Sequence, residues 1–303
     1  MKKKWKEHRG EVLDTKNGYD VIECVSCGFR HIVPLPSDRK LAHYYRDLFF
    51  NKEQPKYFML HEKDSDWWRM VYGEWYAYFE KQLPRGRRKI ADIGSGPGYF
   101  LKLGKERGWE CVGIEPSKKA AEYSRSFGLE IINEFLDAKS VKNLGTFDVV
   151  HAQYVIEHIP DPKNFITLCS RLIRPGGLFS VVAANDYNPL QKALRQHFGY
   201  EPWWVVPPEH VNYFTISSLQ HTILSCGLKI LRTTTSFPME IFLLMGDNYV
   251  GNATVGRECH ERRKNLELAL TRSGISAVKS EVYKVLAKHD LGRDVTIIAR
   301  KPR

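Results

Sequence analysis

Asp92-Ile93-Gly94-Ser95-Gly96-Pro97-Gly98 follows the strand-like Arg88-Lys89-Ile90-Ala91 and precedes a helix predicted to start near Tyr99. A glycine-rich turn at the end of a first parallel strand lets backbone N–H groups approach a ligand closely, and the N-terminus of the following helix favours negative charge. The stretch therefore signals a nucleotide-type cofactor. A dehydrogenase would need the spacing Gly-x-Gly-x-x-Gly/Ala. Counted from Gly94, that third small position falls on Tyr99, too bulky for close helix–strand packing, whereas the third glycine comes one place early at Gly98. The nicotinamide reading is weakened at the motif itself.

The segments downstream read as alternating strands and helices. Gly108-Trp109-Glu110-Cys111-Val112-Gly113-Ile114-Glu115 is a tight turn, a second strand and an acid at the strand's end. Glu115 lies 21 positions beyond Gly94, near the ~20-residue spacing at which a carboxylate accepts hydrogen bonds from ribose hydroxyls. Its two oxygens are enough for both hydroxyls. Phe147-Asp148-Val149-Val150-His151-Ala152-Gln153 is apolar enough for a central parallel strand covered on both faces. Glu157-His158-Ile159-Pro160-Asp161-Pro162 is expected to open the next helix, and Leu172 to Val182, through Arg174-Pro175-Gly176-Gly177, supplies a helix end, a turn and another strand. This alternation argues for an open, doubly wound α/β sheet.

An acid opening Gly-x-Gly-x-Gly, then Gly-Ile-Glu-Pro-Ser, Phe-Asp-Val-Val, Glu-His-Ile-Pro-Asp-Pro and Arg-Pro-Gly-Gly, resembles the successive motifs of class I S-adenosylmethionine (SAM) dependent methyltransferases, in that family's order, over residues 89–184. Any one of these pieces could be only a turn; their combination is specific. The resemblance implies a Rossmann-like seven-stranded sheet with helices on both faces and SAM as cofactor. It places Asp92, Gly94, Gly96, Gly98, Glu115 and Gln153 at the cofactor.

Composition sets the outer bounds. At 303 residues the chain has room for a large α/β domain, expected over 89–303, with accessory segments over 1–36 and 37–88. Hydrophobic residues make up 43% and charged residues 27%, ordinary for a globular protein. No stretch approaches the ~20 apolar residues of a membrane span, and Met1-Lys2-Lys3-Lys4-Trp5-Lys6-Glu7 lacks the apolar run of a signal peptide, so the expected compartment is the cytoplasm. The net charge of +11 suits an acidic partner: nucleic acid, a nucleotide-linked or phosphorylated sugar, a phosphorylated carrier or an anionic membrane surface. Only short clusters occur, at Lys2–Lys6, Arg85–Lys89 and Arg262–Lys264, and a solvated face explains each more simply. Nothing matches the Asn/Asp-Pro-Pro-Tyr or Pro-Cys motifs of DNA-methylating enzymes, so nucleic acid is the less favoured partner.

Cysteine use divides in two. Cys111, Cys169, Cys226 and Cys259 are scattered, the first three in apolar contexts that suit buried thiols. Cys24-Val25-Ser26-Cys27-Gly28 instead has the form of one knuckle of a zinc ribbon between two strands. Many small-molecule methyltransferases of this class carry such a ribbon with a second Cys pair upstream, which this chain lacks. Structural zinc needs four ligands. His8 and His31 are the nearby candidates, so Cys24 and Cys27 belong either to a Cys2His2 site or to a degenerate ribbon without metal. A redox pair is disfavoured, because Gly28 to Val33 reads as a strand rather than as a helix that would lower a thiol pKa.

Pro34-Leu35-Pro36-Ser37-Asp38 is a turn with Ser37 or Asp38 as helix cap. An aromatic-rich helical stretch follows, in which Met70, Trp75, Tyr78 and Phe79 recur at a spacing that suits packing on the sheet. In this fold N-terminal helices commonly cover the cofactor cleft, so part of the stripe is also a candidate wall between substrate and water. Beyond Ala184 the chain leaves the sheet edge where open α/β sheets bind ligands. A substrate loop is expected over 185–215, where Pro208-Glu209-His210-Val211-Asn212-Tyr213-Phe214 resembles the substrate-side loop of many enzymes of the group. A helix from Ser217 to Cys226, a strand Leu228 to Leu231 and a final strand Gly292 to Arg300 leave 237–291 as a mainly helical insertion, either a lid or a homodimer surface.

The SAM sulfonium already carries an electrophilic methyl carbon, so the protein need only align a nucleophile and remove its proton where needed. His158 and His210 are the candidate bases, with Tyr213 or Tyr154 orienting the acceptor. Each histidine could instead brace a loop. Some ubiquinone-pathway O-methyltransferases carry an extra acid three residues before the Glu-His pair and hold a divalent cation. Here that place is Tyr154, and Glu157 with His158 alone make a poor magnesium site, so catalysis without metal is expected. The resemblance implies methyl transfer to O, N or an activated C of a small molecule, with a sugar or surface-polysaccharide precursor as one class. The alternatives are an RNA or tRNA methyltransferase, and a SAM-binding regulatory protein whose catalysis has lapsed.

Overall fold

The computed structural model describes residues 8–303; the basic cluster Lys2–Lys6 lies outside the described residues. Strands β1 (Gly10–Lys16), β2 (Tyr19–Cys24) and β3 (Phe29–Val33) form an antiparallel meander. Asn17 and Gly18, with φ of 52° and 76°, make the two-residue turn between the first two, the conformation a tight hairpin requires. Ser37 caps α1 (Asp38–His43), its hydroxyl accepting from the Lys40 N–H at 3.3 Å. The chain continues as a π-helical stretch, Tyr44–Glu53, then α2 (Tyr57–Lys63) and α3 (Ser65–Gln82).

The alternating part runs β4 (Lys89–Ile93), α4 (Tyr99–Glu106), β5 (Glu110–Ile114), α5 (Lys118–Ser126), β6 (Glu130–Ile132), α6 (Ala138–Leu144), β7 (Phe147–Gln153), α7 (Pro162–Leu172) and β8 (Ile173–Ala184). It continues with α8 (Pro189–Phe198), β9 (Asn212–Tyr213), α9 (Ile216–Ser225), β10 (Lys229–Thr235), α10 (Glu240–Leu244), α11 (Ala253–Arg272), α12 (Ser276–Lys288) and β11 (Asp294–Arg300). Seven of these strands pair in the order β10-β11-β8-β7-β4-β5-β6, and β11 runs antiparallel to both its neighbours. This is the doubly wound sheet expected from the alternation. The order reverses between β7 and β4, the kind of crevice in which open α/β sheets bind ligands. Residues 156–158 form a short 3-10 turn, so the next helix opens at Pro162 with Asp161 as its cap rather than at Glu157.

Both faces of the sheet are covered by helices, which is why its central strands are nearly continuous apolar runs. On one face Ala91, Val150 and Val181 pack under α7 and α9; on the other Ile90, Val149 and Leu178 pack under α3 and α4. The stripe of α3 that meets the sheet is Tyr72, Tyr76 and Phe79. Met70, expected on that stripe, instead receives the Thr271 hydroxyl at 3.0 Å. The helix is gripped from two sides, and a single periodicity registers only one of them.

The N-terminal strands do not stand alone. β3 takes β9, from the segment after β8, as its other neighbour, so the sheet order is β1-β2-β3-β9. Val21 and Ile32 of the meander share a small core with Trp204, Val205 and Tyr213. Among the described residues no helix is long and apolar enough to cross a membrane.

Candidate active site

Asp92 is the penultimate residue of β4 and is 4% exposed. The turn after it is stitched to β5 by the Gly94 N–H, which donates to the Ile114 carbonyl at 2.7 Å. Gly94 has φ 70°, and a Cβ there would lie 2.5 Å from Val155 Cγ2, so no other residue fits this approach of backbone to wall. Gly98, φ 78°, forms the N-cap of α4. The Gly96 N–H donates to Glu115 Oε2 at 2.8 Å, and the Ser117 N–H to Glu115 Oε1 at 2.7 Å. Burial pushes the Glu115 carboxyl up to about 7 against these two donors, and burial with the nearby Glu115 pushes Asp92 well above the carboxylate range.

A cavity of about 180 Å³ opens over this turn. Asp92, Gly94, Ser95 and Gly96 form its floor, and Gln153, Tyr154 and His158 line it too, at the end of β7 and just beyond. Phe49, Phe50 and Tyr57 bring the aromatic stretch to its wall. That cover is anchored: Lys119 Nζ donates to the Phe50 carbonyl at 2.7 Å, and the His61 ring stacks on Tyr99 with centroids 3.9 Å apart. Among the described residues the lining includes a carboxylate and no lysine or arginine. Glu115 lies beneath the floor rather than on the lining.

The residues after β7 bring the histidines together. His158 Nδ1 is 2.7 Å from the Glu209 carbonyl. A carbonyl only accepts, so Nδ1 carries the proton and Nε2 is the basic nitrogen. The Tyr45 hydroxyl donates to the same carbonyl at 3.1 Å, and its ring centroid is 5.2 Å from that of His158. Burial, then His210, pushes His158 down to about 3, so its ring is neutral across the physiological range. The His210 ring centroid is 5.0 Å from His158. Burial works to lower His210, yet Asp186, whose Oδ2 lies 3.8 Å from Nδ1, and then Glu157 hold it above its ordinary value. Burial lifts the Glu157 carboxyl to about 7.

The two tyrosines separate. Tyr154, at φ 53°, lines the cavity and donates its hydroxyl to Asp294 Oδ2 at 2.9 Å; with Gln153 it also lines a second, smaller cavity beside Trp67, Trp75 and Arg232. Tyr213 is fully buried on β9, and its hydroxyl accepts from the Val206 N–H at 3.1 Å. Its expectation as a group at the reacting centre is corrected: strand alternation turns it into the core it shares with Val21 and Ile32. Asp186, Glu209 and Asp294 were not singled out from sequence. Asp186 carried a usable signal, since it lies just past the C-terminal end of β8, where such sheets place ligand-side groups.

Away from this cavity, His8 Nδ1, Cys24 Sγ, Cys27 Sγ and His31 Nε2 converge. One ligand atom from each of these residues lies within 4.8 Å of all the others. Among the described residues it is the one such group that could hold a metal.

A family model described as a methyltransferase domain matches residues 37–233. The ubiquinone biosynthesis O-methyltransferase of Vibrio parahaemolyticus is 31% identical over 106 residues, covering 32% of this chain and 45% of that protein. The enzyme of the same name from Colwellia psychrerythraea is 38% identical over 115 residues, covering 36% of this chain and 44% of that protein. The chain thus spans less than half the length of the curated relatives it matches. A SAM-dependent methyltransferase of known structure from Archaeoglobus fulgidus shares the fold, with TM-score 0.52 at 19% identity, covering 81% of this chain and 99% of that one.

Proposed function

The chain belongs to the methyltransferase-domain family of class I SAM-dependent enzymes, and on that premise we propose that it methylates a hydroxyl oxygen of a small molecule. The observation that carries the reading is the cavity itself, where Asp92 and the glycine turn face His158 across one space. A lining with an acidic side chain and no lysine or arginine suits SAM, which bears a sulfonium and an ammonium, and would leave a pyrophosphate without a permanent cation. Asp92, the 94–98 turn and Glu115 would hold the cofactor. When bound, SAM supplies an electrophilic methyl carbon.

Oxygen is favoured as the accepting atom because the relatives are named as O-methyltransferases and because of the state of His158. A base pushed down to about 3 is too weak to ionise an alcohol in advance. It is strong enough to take a proton that becomes highly acidic as the oxygen is alkylated. The Glu209 carbonyl fixes the ring so that Nε2 is the nitrogen that accepts, and Tyr45 braces that carbonyl. His210, drawn toward Asp186 and Glu157, tunes the field around His158 rather than meeting the acceptor.

Methyl transfer from radiolabelled SAM to a panel of phenols and catechols, nucleotide sugars, and RNA tests the proposal. Label in the small hydroxylic compounds supports it; label confined to RNA, or no SAM binding by calorimetry, overturns it. His158→Ala is expected to lower turnover roughly 10²–10⁴-fold while leaving the SAM Kd unchanged, and equal loss of both would make His158 a brace.

A further inference from the structure

We propose that His8, Cys24, Cys27 and His31 hold a structural zinc ion, and that this ion anchors the turn carrying His158. The metal site stands independently of the methyl-transfer reading; only its effect on turnover rests on that reading.

His8 Nδ1 lies 3.1 Å from Cys27 Sγ, 3.4 Å from Cys24 Sγ and 3.1 Å from His31 Nε2. A ring nitrogen has a single proton or a single lone pair, so one hydrogen bond cannot account for all these approaches. A cation at the common centre does. Ligands bonded to tetrahedral zinc at about 2.0–2.3 Å stand roughly 3.3–3.8 Å apart, a spacing that lies between the 3.1–3.4 Å approaches to His8 Nδ1 and the 4.8 Å within which all four ligand atoms fall.

The surroundings are those of a closed site. Cys24 is 2% and His31 1% exposed. Gly28, at φ 75°, lets the chain double back after Cys27, and its N–H donates to the Cys24 carbonyl at 3.0 Å. His31 Nδ1 donates to the Ile32 carbonyl at 3.0 Å, which leaves Nε2 as the lone-pair nitrogen facing the cluster. Two thiolates and two imidazoles with no open position are a structural zinc set.

From the cluster a short chain of bonds leads to the active site. His31 pairs with Asn212 across the β3–β9 seam, and the Ile32 N–H donates to the Val211 carbonyl at 2.9 Å. The Val211 N–H in turn donates to the Glu157 carbonyl at 2.8 Å, and Asn212 Nδ2 donates to the Ile156 and Ile159 carbonyls at 3.1 and 2.7 Å. The ion therefore fastens a strand that holds both ends of the 156–159 turn.

Metal content of the full chain purified from zinc-supplemented medium should be one zinc per chain, and cobalt reconstitution should give thiolate-to-cobalt absorption. Cys27→Ser should weaken zinc by more than the roughly 10–100-fold that outer-shell partners are worth. Background metal with no cobalt–thiolate bands, or a mass two hydrogens short from a Cys24–Cys27 disulfide, overturns the site. Chelation of the wild-type chain tests the anchoring without a variant that could fail to fold. Hydrogen exchange should rise at 156–159 and 209–213, and the acceptor KM should rise, while the SAM Kd stays within about twofold. Unchanged exchange at those segments overturns the anchoring role even if zinc is bound.

Discussion

Glu115 sits under the glycine turn with each oxygen already taken by a backbone N–H. Each oxygen keeps a second acceptor site, the one that the ribose hydroxyls of the proposed cofactor would use. The cost of burial appears as a carboxyl raised to about 7 in the free protein. Hydroxyl donors and a cationic ligand favour the ionised form, so SAM affinity should rise with pH through that value. Calorimetry from pH 6 to 7.5 should show up to ~tenfold tightening. Glu115→Gln should bind more weakly and lose that rise, and an identical pH profile in the variant would exclude Glu115 as its source. Asp92, the glycines and Glu115 were legible because strand, turn and spacing are local. Tyr213 was misplaced because its neighbours come from Val21 and Ile32, far away in the chain. Asp186 and Glu209 matter only through distances to histidines that the fold brings near.

The element least legible was α3. Its aromatic content announced packing, but the register of its faces depended on α11, which arrives much later. The join between them centres on Asp64, the N-cap of α3, which accepts from Arg257 Nη1 at 2.6 Å, from His260 Nε2 at 3.0 Å, and from Lys264. Trp67 Nε1 donates to Glu267 one turn further along. Burial alone would raise the Asp64 carboxyl, yet the hydrogen bonds from Arg257 and Lys264 hold it well below its usual range. A depressed carboxyl stabilises the fold above its unfolded pKa near 4, and that contribution is lost as pH falls below it. Asp64→Asn would leave Arg257 and Lys264 sharing Glu261 as their remaining carboxylate, so the loss should fall below the ~3 kcal/mol of breaking a fully buried pair. Hydrogen exchange should then rise along 253–272 before it rises in the central strands. Equal protection in the variant would mean that apolar contacts alone hold α11 in place.

At the scale of the molecule, the doubly wound sheet followed from alternation, whereas its switch point between β7 and β4 and the joining of the two sheets did not. A Cys-x-x-Cys knuckle reads from sequence as a separate module. In the fold its sheet is completed by Asn212 and Tyr213, with Arg30 paired to Tyr213. A dipeptide strand has no periodicity to find. The positive charge of +11 is likewise a property of the whole, and the cavity has no lysine or arginine among its described lining. Net charge is therefore a poor guide to what enters the site.

The β3–β9 pairing also bears on how the chain comes into being. During synthesis the β1–β3 meander emerges well before residues 212–213, and its β3 edge stays uncovered until they clear the ribosome. An unpaired edge strand is a template for pairing with another chain. Nascent chains stalled before residue 212 should therefore self-associate and engage chaperones. Chains released beyond the final strand should not, and light scattering of a stalled-length series would show the change of behaviour near that point. The seam beside the candidate site is in this sense also a clock, marking how far synthesis must run before the β3 edge is covered.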